Sequence, residues 1–296
     1  MVICVDKINV KNDEILTDIF KSNSLHKFIR SDTIDVNDKT IRVFRGIVRI
    51  NPIKQCIENN IDFYYIDSGY MGCYPNKSWH RFVKNNFQTM SHMSYVDLSN
   101  LIDIKSLQNR YARITGIKYD EYKPIKKIKG NSILIIPPTK KVLTSLLIMK
   151  HVDFTYDDFI NYVTKEIKKY TDKNIIVRHK PDRKKRRNIG TRLIDQLKND
   201  NVHCVVTFNS IAAFESIQYG YPTITLGPNA ASYLSEKQIK NIENPYFPDE
   251  DKIREHSLYL SACQFNNDEF INGYALEMIE KIQHKEMYYN FKFQCQ

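Results

Sequence analysis

VVTFNSIAAFESIQYGYPTITLGPNAA, Val205 to Ala231, is the stretch that decides the fold. An apolar strand, "VHCVVTF", ends at Phe208, and Asn209 and Ser210 occupy the turn. The small residues Ala212 and Ala213 then open a helix that Gly220 stops, and "YPTITLG" reads as the next strand. A strand, tight turn and helix in that order expose free N–H groups and the positive end of a helix at the carboxyl edge of a sheet, where phosphates bind. Ser210 adds a hydroxyl donor. Asn209 and Ser210 also suit plain helix capping, and Glu215, about one and a half turns into the helix, suits either a ribose diol or solvent.

Upstream the same alternation continues. "SILIIPP" from Ser132 is a continuous apolar strand, Thr155 to Tyr170 carries a helical pattern with Asp157 and Asp158 in its first turn, "NIIVRHKP" is a strand and "TRLIDQLKND" its helix. Strand and helix alternating over this length predict a parallel sheet with right-handed crossovers. In the first half, Ile41–Ile50 and Ile61–Asp67 read as strands with a helix around Pro52–Asn60 between them, and Leu98–Leu107 as a further helix. The polar, basic "KPIKKIKGN" separates the halves, and Asp268–His284 is an amphipathic helix. The expected organisation is α/β, with two Rossmann-like lobes whose parallel sheets face an interlobe cleft. Residues 1–128 form the first lobe, residues 129–270 the second, and residues 271–296 return to the first.

Composition limits the function classes. The chain has 296 residues, a hydrophobic fraction of 42% and a charged fraction of 26%, which is ordinary for a globular protein and unlike a disordered one. Its longest apolar run falls short of the roughly 20 residues that span a bilayer, and the N-terminus lacks a signal pattern, so a cytoplasmic protein without membrane attachment is expected. The six cysteines lack metal-ligand spacing, and reduced, buried thiols are the simplest reading. A formal charge of +10 suits a polyanion such as nucleic acid, although heavy use of Asn, Lys, Ile and Tyr also reflects AT-rich coding.

Two further stretches carry chemistry. In "VRHKPDRKKRR" a strand delivers Arg178, His179 and Lys180 to its carboxyl end, and Arg183, Lys184, Lys185 and Arg186 form a basic loop able to track a phosphate backbone or simply to stay solvated. In "YYIDSGYMGCYPNKSWHRFVKNNFQ" Asp67 ends a strand, where it can take a proton from an attacking hydroxyl or cap a turn. Arg45, Tyr70, Trp79, His80 and Arg81 surround it in sequence as candidate acceptor-binding groups. Trp79 suits stacking on a base or burial in a core.

Together these segments resemble a family of bacteriophage proteins of the GT-B glycosyltransferase type. The resemblance runs from about Arg45 to Gly273 through "FRGI", "FYYIDSGYMG", "WHRFVKNN", "ILIIPPTKK", "IIVRHKP", the Val205–Ala231 stretch, "IENPYFP" and "YLSACQFNNDEFINGYA". The second lobe is also similar to capsule-type sugar transferases, in which a His-Pro element and a Ser-rich helix start grip the nucleotide phosphates. Here a lysine stands between His179 and Pro181. The resemblance implies a nucleotide-sugar cosubstrate, UDP-linked, with no cofactor and no metal. Arg178, His179, Lys180, Asn209 and Ser210 would hold the diphosphate, Glu215 the ribose, and Asp67 would be the base. It further implies a hydroxymethylated pyrimidine of phage DNA as acceptor, in the host cytoplasm, with the base flipped out for reaction. A surface-polysaccharide transferase, a non-catalytic DNA-binding protein of the same fold and a nucleotide-sugar epimerase are the rival readings.

Overall fold

The apolar runs of the second half do form a parallel sheet, and both of its faces are covered, as such sheets require. In the computed structural model, residues 2–5, 27–30, 42–47, 50–72, 79–121, 126–180, 192–283, 285 and 287–294 are described, the first two stretches by backbone alone. Residues 1–122 with 255–290 form one compact unit, and residues 123–254 with 291–296 form another. The division therefore falls before residue 129, and the return to the first unit begins at Glu255 rather than 271.

The first unit is built on strands β1 (Val2–Val5), β2 (Lys27–Arg30), β3 (Arg42–Arg45), β4 (Phe63–Ser68), β5 (His80–Lys84) and β10 (Gln264–Phe265), in the order β10-β5-β4-β3-β1-β2. Strands β3 and β4 are parallel, with Arg42 beside Phe63, and helix α1 (Ile50–Glu58) connects them. This is the expected βαβ unit. Strand β3 ends sooner than its apolar pattern suggests because Gly46 turns the chain at φ +68°. On one face Phe44, Phe63 and Tyr65 pack against Ile53 and Cys56 of α1. Full burial of each such side chain contributes roughly 1.5–3 kcal/mol.

Strand β5 departs from the expected all-parallel sheet, since it runs antiparallel to both β4 and β10. Its five residues are all buried although three of them, His80, Arg81 and Lys84, are polar. The single helix expected over Leu98–Leu107 is two helices, α2 (Tyr95–Leu101) and α3 (Ile104–Thr115). Asp103 starts a new helix there by accepting from the Ser106 amide at 2.9 Å.

The second unit carries the order β7-β6-β8-β9, all parallel, from β6 (Ser132–Ile136), β7 (Asn174–Val177), β8 (Val202–Thr207) and β9 (Thr223–Thr225). Ile133, Ile135, Cys204, Val206 and Ile224 point to one face. There Leu143 and Leu146 of α4 (Lys140–Ile148) and Phe159, Val163 and Ile167 of α5 (Tyr156–Ile167) cover them. Leu134, Ile136 and Val205 point to the other face, under Leu193 and Leu197 of α6 (Leu193–Asn199). Thr155 and Asp158 close a reciprocal capping box at the start of α5. Helix α7 (Ala212–Gln218) follows β8 as expected.

The C-terminal segment contains α8 (Glu250–Ala262), strand β10, α9 (Asn267–Ile271) and α10 (Tyr274–Gln283). The helix read over Asp268–His284 is thus divided, at Gly273, whose φ is +84°. Among the described residues no helix is long and apolar enough to cross a membrane. Cys56, Cys204 and Cys263 are buried.

Burial makes part of the first unit sensitive to acid. His80 is 7% exposed, and burial, with Arg45 nearby, lowers its pKa to about 4. His92, whose Nδ1 lies 3.0 Å from Nδ1 of His256, is lowered in the same sense by burial. A depressed histidine is neutral in the fold and binds a proton more readily unfolded, so its contribution is complete above pH 6.5 and is lost as pH falls toward 4. For His80 alone this amounts to about 3 kcal/mol. Urea denaturation at pH 7 and pH 4.5 is expected to show this loss, and His80→Gln is expected to flatten it.

Candidate functional site

At the carboxyl edge of the second unit's sheet, Arg178 stands after β7, and Asn209, Ser210 and Glu215 stand after β8. Arg178 follows β7, and its amide donates to the Ile135 carbonyl at 2.9 Å, which fixes its backbone to β6. Its guanidinium donates through Nη1 to Gln196 of α6. Glu215 feels the same guanidinium: burial raises its carboxyl pKa and Arg178 opposes that rise. The Arg178 guanidinium therefore acts electrostatically on the Glu215 carboxyl.

Ser210 lies in the β8–α7 turn. Its Oγ accepts from the Ala212 amide at 3.2 Å, and its carbonyl accepts from Asn229 Nδ2 at 2.9 Å and from the Ala213 amide at 3.1 Å. The turn is consequently braced by the loop after β9. Asn229 is fully buried, and its Oδ1 also accepts from the Ala231 amide at 2.9 Å. Asn229→Ala leaves the Ala231 amide without its acceptor and takes one of two donors from the Ser210 carbonyl, and a loss of about 1–3 kcal/mol is expected in thermal or urea unfolding.

Gly227 permits this docking by lying against the Phe208 ring, where an added Cβ would stand 2.6 Å from Cζ. The ring cannot yield without disturbing the fully buried core around it. Gly227→Ala is expected to cost about 1–3 kcal/mol in the same measurement.

His179 and Lys180 are exposed beyond β7. The Tyr156 hydroxyl lies 2.8 Å from His179 Nδ1, with the two ring centroids 6.0 Å apart. At the far edge, the backbone of Glu236 pairs with β9, and Lys237 Nζ donates to Thr225 Oγ1 and Ser235 Oγ, both at 2.9 Å. Burial lowers the Lys237 amine to about 8. Tyr156, Gln196, Asn229 and Lys237 escaped the sequence reading. Only the position of Tyr156 as first residue of an acidic helix start could have drawn attention to it.

In the first unit, Asp67 sits near the carboxyl end of β4 with its side chain 39% exposed. Its Oδ2 receives the Tyr65 hydroxyl at 3.0 Å and Arg81 Nη2 at 3.1 Å, and its Oδ1 receives the Ser68 amide at 2.8 Å. Burial raises the carboxyl pKa, but Arg81, the Ser68 amide and the Tyr65 hydroxyl outweigh it and leave the group below its usual value. Asp67 is therefore a held carboxylate at neutral pH.

Arg81 stands opposite Asp67 across the β4–β5 pair, donates also to the carbonyls of Phe87 at 3.0 Å and Ser68 at 2.9 Å, and lies over the Tyr65 and Tyr70 rings. Arg45 is partly buried, with Nη1 enclosed and without a hydrogen bond, and burial lowers its pKa against the pull of Asp67. His80 Nδ1 is likewise enclosed without a partner.

The remaining acceptor candidates lie deeper than an acceptor could reach as they stand. Tyr70 is 4% exposed, and its hydroxyl accepts from the Thr89 amide at 2.8 Å. Trp79 is 8% exposed with the Arg110 guanidinium 5.4 Å from its ring centroid, so the structure gives this ring to packing rather than stacking on a base. Arg183, Lys184, Lys185 and Arg186 lie outside the described residues. Among the described residues no three His, Cys, Asp or Glu side chains gather to hold a metal.

Two α/β units, each built on a sheet with a polar carboxyl edge, define the class of the molecule. In fold the chain is similar to two KpsC structures from Thermosulfurimonas dismutans. One is described as a beta Kdo 2,7 transferase, at TM-score 0.49 and 11% identity, covering 95% of this chain and 99% of that one. The other is described as a beta Kdo 2,4 transferase, at TM-score 0.47 and 12% identity, covering 94% and 98%. No protein-family model and no curated protein matches the sequence.

Proposed function

We propose that the protein is a GT-B-type glycosyltransferase that moves a sugar from a nucleotide-sugar donor, UDP-linked, to a hydroxymethylated pyrimidine in DNA. The reading is supported by the placement, at the carboxyl edge of one parallel sheet, of Arg178 after β7 and of the braced Ser210 turn and Glu215 after β8, with the Arg178 guanidinium acting on the Glu215 carboxyl. Doubly wound sheets bind nucleotides at this edge. Arg178, with His179, Lys180, Asn209 and Ser210, would receive the diphosphate, and Glu215 would accept bonds from the ribose hydroxyls.

In the reaction the acceptor hydroxyl oxygen bonds to the anomeric carbon while the bond from that carbon to the diphosphate oxygen breaks. The hydroxyl proton passes to Asp67, and the nucleoside diphosphate leaves with the bonding electron pair into the cationic edge. Because Arg81 and Tyr65 depress the basicity of Asp67, proton removal is expected to accompany displacement rather than precede it. The formal charge of +10 supports a polyanionic acceptor.

Incubation with radiolabelled UDP-sugars and with plain or hydroxymethylated duplex DNA tests the proposal. Label is expected only in hydroxymethylated DNA. Transfer to a polysaccharide with indifference to DNA would replace the acceptor assignment, and sugar isomerisation without any acceptor would replace the reaction.

A further inference from the structure

His179 is held by a residue that none of the preceding assignments uses. Its Nδ1 lies 2.8 Å from the hydroxyl of Tyr156, the first residue of α5. Lys140, the first residue of α4, places Nζ 5.8 Å from the centroid of the Tyr156 ring. Strands β6 and β7 are parallel neighbours, with Ile135 beside Val177, so the α4 start after β6 and His179 after β7 open at the same sheet edge. Tyr156 is partly buried and packs against the apolar cluster beneath the sheet, whereas His179 is exposed. The pair therefore has an anchored end and a free end.

The bond to Nδ1 determines what the free end can do. Where the phenol donates to Nδ1, the proton of a neutral imidazole resides on Nε2. In the protonated ring Nδ1–H donates to the phenol oxygen, and Nε2 still carries a proton. In both of these arrangements His179 presents an N–H through Nε2, which fits an anionic oxygen, whereas a neutral Nδ1–H ring donating to the phenol oxygen would present a bare Nε2. Lys140 adds a positive charge over the ring face of the tyrosine, where a cation is attracted.

We propose that Tyr156 is a positioning residue that fixes His179 as an Nε2–H donor, and that with Lys140 the pair forms a subsite for the oxygens of a diphosphate. The proposal rests on the donor-binding reading of this edge and extends it to two residues with no role there. Tyr156 acts through His179, and Lys140 supplies charge.

Long-range proton–nitrogen NMR of the imidazoles tests it, with the His179 signals assigned by their loss in His179→Asn. The expected result is an Nε2–H tautomer in the native protein, a shift of the His179 Nε2 signal on adding inorganic pyrophosphate or UDP, and a mixed tautomer in Tyr156→Phe. The affinity for UDP is expected to fall about threefold to tenfold in Tyr156→Phe, the range for one lost hydrogen bond, and to fall in Lys140→Gln as well. Lys140 is exposed, so that variant reads the subsite even where the tyrosine substitution disturbs the fold. An Nδ1–H tautomer in the native protein, or a His179 signal indifferent to both probes, overturns the proposal. These readouts separate the two readings. Pyrophosphate-responsive His179 without sugar transfer leaves the subsite standing and removes the transferase, and sugar transfer with an indifferent His179 does the reverse.

Discussion

Asp67→Asn is expected to lower kcat about 10²–10⁴-fold, the usual contribution of a positioned general base, while leaving the affinity for UDP unchanged. Asparagine keeps the shape and can still accept the Tyr65 hydroxyl, but it cannot take a proton from the acceptor. The donor groups belong to the other unit, so their binding is expected to persist. Loss of the ion pair to Arg81 will lower stability somewhat, and thermal melting separates that effect from catalysis. Turnover at the native rate would remove Asp67 from the mechanism and leave it as a cross-strand partner of Arg81.

The largest expected effect on stability lies at Glu269. This carboxylate pairs with Arg110, whose side chain is 3% exposed, and Arg110 also donates through Nε to the Ser261 carbonyl at 2.8 Å and through Nη2 to the Gln264 carbonyl. Rings of Trp79, Phe265 and Tyr274 surround the guanidinium. Glu269 Oε2 in turn accepts from the Asn266 amide at 3.0 Å and closes the capping box of α9. Glu269→Ala strands a buried positive charge and is expected to cost about 3–5 kcal/mol in urea unfolding. Replacing both partners, as Arg110→Met with Glu269→Leu, is expected to cost less than the single change, because no unpaired charge remains. A single variant as stable as the native protein would show that Arg110 finds other compensation.

The parts of the fold visible in the sequence are those whose stabilising contacts are encoded locally. The apolar runs of β6 and β8, the acidic first turn of α5 and the Gly220 stop all depend on residues within a turn or a strand. Strand β5 was not visible because its burial depends on distant partners. Arg81 meets Asp67, and Lys84 meets both Asp62 and Glu280 at 3.2 Å. Helix α8 hides for a related reason: His256, Ser257 and Ser261 are fully buried beside Leu258 and Tyr259, so no polar face marks its period. At the candidate site, Arg178 and Ser210 stand where strands end and can be read directly, whereas Gln196, Tyr156 and Asn229 earn their places only through contacts across connections.

The electrostatic neighbours Arg178 and Glu215 are the centre of the functional account, and calorimetric titration of UDP into the native protein and into Arg178→Ala tests them most directly. The account predicts saturable binding by the native protein that weakens about tenfold or more in the variant, as expected on removing a charged hydrogen-bond partner of a phosphate. Equal binding by the two proteins, or no binding by either, would contradict it.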